Sequence, residues 1–271
     1  MTAAASDDAL MLDVFERLAL AAGREVMRIF RTGCAVAHKA DNSPVTEADR
    51  TAEKIILAGL REAFPDIPCV AEEEASVGIV PPALDGAFFL VDPLDGTKEF
   101  VNRRTDFTVN IALVRDGRPE IGVVFAPCSK RFFSGRPGRA EALDIDDDYE
   151  ITGRHSIVVR GAGEPLAVVA SRSHNTPETE AYISSLGGAE IVSVGSSLKF
   201  CLLAGGEADV YPRFGRTMEW DTAAGDAVLR AAGGMTRTLD GKPLVYGKRN
   251  QSDDEDFANP HFIATGKVAT G

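Results

Sequence analysis

Two aspartates three residues apart, with a proline between them and Gly-Thr directly after, stand in LVDPLDGTKEF, residues 90–100 of a 271-residue chain. Asp92 ends a short apolar run. Pro93 fixes its own φ and offers no N–H to a sheet partner. Asp95 then turns back toward Asp92, with the Leu94 carbonyl between them. Two carboxylates and a backbone carbonyl are hard oxygen donors, suited to Mg2+, Mn2+ or Ca2+ rather than zinc. Gly96 permits a tight turn, and Thr97 with the next amides opens a helix whose N-terminus attracts phosphate. The stretch also reads as a helix N-cap, with Asp95 ahead of Gly-Thr. Taken alone, it is compatible with both.

Three other segments bring acids into the same question. VAEEE, residues 70–74, lets Glu72, Glu73 and Glu74 emerge from a short β-like run. SPVTEADRTAE places Thr46 and Asp49 at a helix start, where T-x-x-D is also a capping pattern favoured by the helix dipole. MEWDTAAGDAV sets Asp221 beside the only tryptophan, again at a helix start where capping is the simpler reading. Its small residues Ala223, Ala224 and Gly225 let that helix approach a neighbour closely.

The elements that must position these residues follow from periodicity. Residues 7–32 repeat apolar side chains at spacings of three and four, which predicts a helix capped by Ser6 or Asp7 and closed by Gly33. A second helix is predicted over 47–64, stopped by Pro65. The apolar run 88–92 predicts a buried strand. Strands over 107–114 and 121–126 flank Asp116-Gly117, a hairpin signal, and RFFSG adds a third strand. The acidic stretch 141–150 reads as a solvated loop. From residue 165 strands and helices alternate: LAVVAS, a helix over 176–186, EIVSV, a helix over 196–205, ADVYPRF, a helix over 219–232, and GMTRTLDG. The chain therefore divides into an antiparallel α+β half, residues 1–160, and an alternating α/β half, residues 161–271.

Bulk composition excludes several classes. A net charge of −12 disfavours binding to a nucleic-acid polymer, though not to a small anion. No apolar run is long enough for a membrane helix, and the N-terminus has neither the basic nor the unbroken apolar region of a signal peptide, so a cytoplasmic location is expected. Cys34, Cys69, Cys128 and Cys201 are far apart and read as reduced thiols. His38, His155, His174 and His261 have no zinc-ligand spacing.

In order, D, EE, DPLDGT and WDTAAG resemble the lithium-sensitive, magnesium-dependent sugar-phosphatase superfamily that includes inositol monophosphatase, fructose-1,6-bisphosphatase and the bisphosphate nucleotidases. DPLDGTKEF, GVVFAP, SRSH, GSSLKFCLLAGGEADVYPRFGRTMEWDTAAGDAV and FANPHF are similar to the CysQ-type 3′(2′),5′-bisphosphate nucleotidases over nearly the whole chain. The resemblance does not extend to segments 74–87 and 141–150. The resemblance implies a layered αβαβα fold with the site between the halves. It implies two or three Mg2+ ions, with Mn2+ as a substitute. Glu72, Asp92 and the Leu94 carbonyl hold one; Asp92, Asp95 and Asp221 hold a second; a third lies near Glu72, with Glu73 beside them or acting through water. It implies a metal-bound water as nucleophile, oriented by Thr97, whose hydroxyl bonds to Asp49. Gly96, Thr97, Asp95 and Asp221 then surround the phosphate, and Lys98 reaches substrate. Gly195, Ser196, Ser197, Lys199 and Arg213 hold the sugar and the uncleaved phosphate. The implied reaction takes adenosine 3′,5′-bisphosphate to AMP and phosphate, with the 5′-phosphosulfate analogue as a second substrate, in recycling a by-product of sulfate assimilation. An inositol or fructose phosphate is the alternative. A monomer or homodimer is implied, and for some bacterial relatives peripheral attachment to the inner membrane.

Overall fold

The computed structural model describes residues 3–39, 44–84, 86–171 and 176–267. His174 and the SRSH segment beyond Ser171 lie outside the described residues. The elements in chain order are α1 (Ala3–Thr32), β1 (Val36–His38), β2 (Pro44–Thr46), α2 (Glu47–Ala63), β3 (Cys69–Ala71), α3 (Glu72–Ser76), β4 (Ala87–Asp95), α4 (Thr97–Val101), β5 (Thr108–Arg115), β6 (Arg118–Ala126), β7 (Arg131–Arg136), β8 (Arg139–Ile145), β9 (Ile151–Ser156), β10 (Ala167–Ser171), α5 (Pro177–Ser185), β11 (Glu190–Val194), α6 (Leu198–Ala204), β12 (Val210–Arg213), α7 (Glu219–Ala231), β13 (Met235–Thr238) and β14 (Phe262–Thr265).

Seven strands, β3 to β9 in chain order, form one sheet, antiparallel except for the parallel pair β3–β4. Asp116 and Gly117 turn the β5–β6 hairpin with φ of 48° and 73°, the left-handed pair that the twist of two joined strands requires. Five strands form the second sheet in the order β11-β10-β12-β14-β13. The last strand, β14, enters between β12 and β13 and runs antiparallel to both.

α1 and α2 cover one face of the large sheet, α6 and α7 lie between the two sheets, and α5 packs against β12. The result is the αβαβα layering expected. One apolar core lies between α1, α2 and the large sheet and contains Phe15, Ile56, Phe89 and Phe125. The other joins the large sheet, α6, α7 and the second sheet through Leu90, Phe200, Val228 and Phe262. Full burial of each such side chain contributes about 1.5–3 kcal/mol. α7 can settle on β6 because Gly122 has no side chain: a Cβ there would stand 2.5 Å from the Ala224 carbonyl oxygen.

Two expectations need correction. α1 begins at Ala3, so positions 6 and 7 lie inside it and not at its start. The acidic stretch is not all loop, since 141–145 belongs to β8. Glu141 is buried there because Arg139 and Arg154 neutralise it, and Leu143 is buried beside it. Among the described residues no helix is long and apolar enough to cross a membrane.

Candidate active site

β4 and β5 pair with Asp92 opposite Asn110 and then Asp95 opposite Thr108, so three steps on β4 match two on β5. This bulge falls where Pro93 has no N–H, and such an extra residue re-aims the side chains beside it. The Leu94 N–H donates to Asp92 Oδ1 at 3.0 Å, which fixes Asp92 at the floor of the site.

The turn into α4 is made by Gly96 at φ 96°, ψ 36°, where a Cβ would lie 3.0 Å from the Asp106 carbonyl oxygen. Gly96 precedes the helix and no side chain caps it. The Asp95 cap is therefore corrected: its carboxylate faces the Ser197 hydroxyl, 2.9 Å away. Ser197 Oγ also lies 2.7 Å from the Asp221 carbonyl and accepts from Asn110 Nδ2 at 2.9 Å. One hydroxyl thus ties β4, β5, α6 and α7 together under the site.

Capping and site geometry coexist at the other two acids. Asp49 Oδ2 accepts from the Thr46 N–H and hydroxyl, both at 2.7 Å, which closes the α2 capping box. Its Oδ1 accepts from the Thr97 hydroxyl at 2.8 Å, and that hydroxyl also lies 3.2 Å from the Leu94 carbonyl. Asp221 Oδ2 accepts from the Met218 N–H at 2.8 Å at the start of α7.

Two contributors were not foreseen from sequence. Glu53 accepts from the Glu73 and Glu74 N–H groups at 2.7 and 3.0 Å, so it caps α3 and sets the direction of Glu72. Its position four residues after Asp49, on the same face of α2, was the available signal. Burial raises its pKa to about 7. Lys39 is the other: its Nζ lies 2.7 Å from both Glu72 Oε1 and Glu73 Oε1. Burial works to lower its pKa, but the two carboxylates outweigh it and hold the ammonium above the usual lysine range.

A cavity of about 290 Å³ lies over these groups, lined by Glu72, Asp95, Gly96, Thr97, Lys98, Gly195, Ser196, Ser197, Lys199, Arg213 and Asp221. Lys98 is exposed at its edge. Burial, then the charges of Glu72, Asp95 and Asp221, drive Asp92 well above the usual carboxylate range. Burial followed by Asp95 and Glu72 does the same to Asp221. Glu72 and Asp95 are also raised by burial, against the pull of Lys39 and Lys199 respectively. Burial then Glu72 lifts Glu73 to about 7. Among the described residues no three carboxylates yet close round one point. The Lys39 ammonium thus stands where mutual repulsion calls for positive charge. The donors, all carboxylate oxygens and the Leu94 carbonyl, fit a hard divalent cation.

The opposite wall is cationic. Lys199 is buried, with Nζ 2.6 Å from the Ser196 carbonyl and over the Tyr211 ring at 5.5 Å. Burial lowers its pKa to about 8, with Asp95 opposing and Arg213 reinforcing. Among the described residues, Arg213 Nε and Ser196 Oγ are buried without a partner. Unpaired donors on a cavity wall are costly unless a ligand satisfies them.

Layering and site together define a phosphatase-type fold, and the chain belongs to the inositol monophosphatase family, whose model matches residues 7–258. The 3′(2′),5′-bisphosphate nucleotidase CysQ of Escherichia coli K12 is 45% identical over 259 residues, covering 93% of this chain and 98% of that one. The crystal structure of CysQ from Bacteroides thetaiotaomicron, described as a bacterial member of this family, superposes with a TM-score of 0.77 at 38% identity, covering 94% of this chain and 97% of that one. A Thermotoga maritima IMPase gives 0.74 at 26% identity, with 95% and 92% covered.

Proposed function

We propose that the chain is a magnesium-dependent 3′(2′),5′-bisphosphate nucleotidase that removes the 3′-phosphate of adenosine 3′,5′-bisphosphate and leaves AMP. The observation that carries this reading is the pairing, in one cavity, of a self-repelling carboxylate cluster with a buried lysine and a half-buried arginine. A substrate with two phosphates on one sugar matches both walls. The Escherichia coli relative named above carries the same activity in its name.

In this reading Glu72, Asp92, the Leu94 carbonyl, Asp95 and Asp221 hold the metal, with Glu73 alongside. When bound, Mg2+ supplies positive charge to these carboxylates, to the phosphate oxygens and to an attacking water. Asp49 accepts the Thr97 proton, so the Thr97 oxygen is left as an acceptor that orients the water and takes up its proton as attack proceeds. Gly96 and the start of α4 back the cleaved phosphate. Lys199, Arg213, Gly195 and Ser196 hold the phosphate that stays, while Ser197 acts on Asp95 and Asp221. Lys98 closes the outer edge. We place the reaction in the cytoplasm, in keeping with four unpaired cysteines.

The experiment is phosphate release from adenosine 3′,5′-bisphosphate, its 5′-phosphosulfate analogue, inositol 1-phosphate and fructose 1,6-bisphosphate, with Mg2+, with EDTA and with added Li+. The adenosine bisphosphate should be preferred, with Mg2+ required and Li+ inhibitory. Faster release from inositol 1-phosphate would overturn the substrate assignment.

Lys199→Ala should raise KM for the bisphosphate by about 10–100-fold and change turnover of a simple phosphate monoester less than about threefold. Equal losses on both would contradict the role given to Lys199. Because its pKa is lowered to about 8, the ammonium is lost as pH rises through that value. In the native enzyme kcat/KM for the bisphosphate should therefore fall above about pH 8, and this limb should vanish in Lys199→Ala.

A further inference from the structure

The FANPHF segment, residues 257–262, supplies none of the proposed metal ligands, yet its asparagine is wired to the turn that precedes Asp221. Asn259 is buried, and its N–H donates to the Thr217 carbonyl at 2.9 Å. Its side-chain Nδ2 lies 2.8 Å from the Met218 carbonyl, 3.0 Å from Thr222 Oγ1 and 3.2 Å from Thr217 Oγ1. Its Oδ1 accepts from Lys248 Nζ at 3.1 Å, and Lys248 pairs with the fully buried Glu219 at 2.6 Å. A carbonyl only accepts and an ammonium only donates, so these partners fix which way the amide points.

That orientation determines two hydroxyls. Thr222 accepts from Asn259 and donates to the Glu219 carbonyl at 3.2 Å, so both its capacities are used. Thr217 accepts the longest of the three bonds shared between the two Asn259 amide protons, and among the described residues its own hydroxyl donates to no partner. Thr217 lines the same cavity as Ser196, Arg213 and Asp221. Its proton is therefore left to face the cavity contents.

We propose that Thr217 is a substrate-contacting residue, donating its hydroxyl to an oxygen of the bound phosphate ester. Asn259 is the positioning residue that aims it, itself held by the Glu219–Lys248 pair. This rests on the phosphatase reading above and adds a contact to it. The acceptor is an anionic phosphoryl oxygen, since the cavity wall around Thr217 already carries Arg213 and the unpaired Ser196 hydroxyl.

The test is steady-state kinetics on adenosine 3′,5′-bisphosphate with Mg2+ for the native chain, Thr217→Val, Thr217→Ser, Asn259→Asp and the double variant Thr217→Val/Asn259→Asp. Thr217→Val keeps the shape and should raise KM about tenfold, the worth of one hydrogen bond to a charged oxygen, with kcat within about twofold. Thr217→Ser should stay within about twofold of native, which a role resting on the methyl group would not allow. Asn259→Asp cannot donate, so it should match Thr217→Val, and the double variant should be no worse than either single one. Should Asn259→Asp fail to fold by its melting curve, Asn259→Ser, too short to reach Thr217, replaces it with the same expectation. A Thr217→Val KM within twofold of native, or fully multiplicative losses in the double variant, would overturn the proposal. If the native chain ignores the bisphosphate, the nucleotidase assignment falls by itself. The same variants are then compared on inositol 1-phosphate, where the same KM ratios decide the role of Thr217.

Discussion

Asp92→Asn is expected to lower kcat/KM by at least about a thousandfold while leaving the metal-free protein no less stable than native. The two effects have one cause. Asp92 is buried and faces Glu72, Asp95 and Asp221, which together with burial hold its pKa far above the ordinary range. A group whose folded pKa is raised contributes stability that is fully present below its unfolded value, near pH 4, and is lost as pH rises through the folded value. At neutral pH the native cluster is therefore a liability in the absence of a cation. Asparagine keeps the acceptor for the Leu94 N–H and removes the charge. In EDTA at pH 7.5 its melting temperature should equal or exceed the native one. Mg2+ should raise the native melting temperature, about 2.7 kcal/mol at a hundred times Kd or roughly 5–10 °C for a chain of this size, and should raise that of Asp92→Asn far less. Loss of a metal ligand removes several kcal/mol of transition-state stabilisation, which sets the thousandfold figure. Near-native turnover, or an Asp92→Asn protein markedly less stable than native in EDTA, would contradict the metal role.

Thr97→Val is expected to reduce kcat by about 100- to 1000-fold with KM little changed, while Thr97→Ser retains most activity. The Thr97 hydroxyl gives its proton to Asp49 at 2.8 Å, so its oxygen is the acceptor that the proposed chemistry uses. Valine keeps volume and branching and removes only that oxygen, and positioned proton acceptors of this kind are worth about 10²–10⁴ in rate. Asp49→Asn is a poorer test because Asp49 also closes the α2 capping box, a contact worth about 1 kcal/mol of stability. A Thr97→Val enzyme with more than about a tenth of native kcat would remove Thr97 from the proton path.

The residues proposed to carry the chemistry were legible because their constraints are local. Asp92, Pro93, Leu94, Asp95 and Gly96 are consecutive, and the bulge follows from a proline in a strand. The Asp116-Gly117 hairpin and the capping pattern at Thr46 and Asp49 are short-range for the same reason. What stayed hidden depends on partners far away in the chain. Asp95 was free to read as a cap until Ser197, 102 residues on, accounted for its carboxylate. Glu141 looked like a loop residue because Arg154, which helps neutralise it, lies on a neighbouring strand. Lys39 gave no local sign of meeting Glu72 and Glu73. The entry of β14 between β12 and β13 is a matter of topology that periodicity does not carry.

The proposed arrangement makes one claim that an inventory of ligands does not: the carboxylate wall takes the phosphate that leaves, and the Lys199–Arg213 wall keeps the one that stays. The direct measurement is product identification by chromatography after adenosine 3′,5′-bisphosphate is incubated with the native enzyme and Mg2+. The expected result is one equivalent of phosphate and 5′-AMP as the only nucleoside product, with no reaction in EDTA. Adenosine 3′-phosphate, free adenosine, or equal release in EDTA would contradict it.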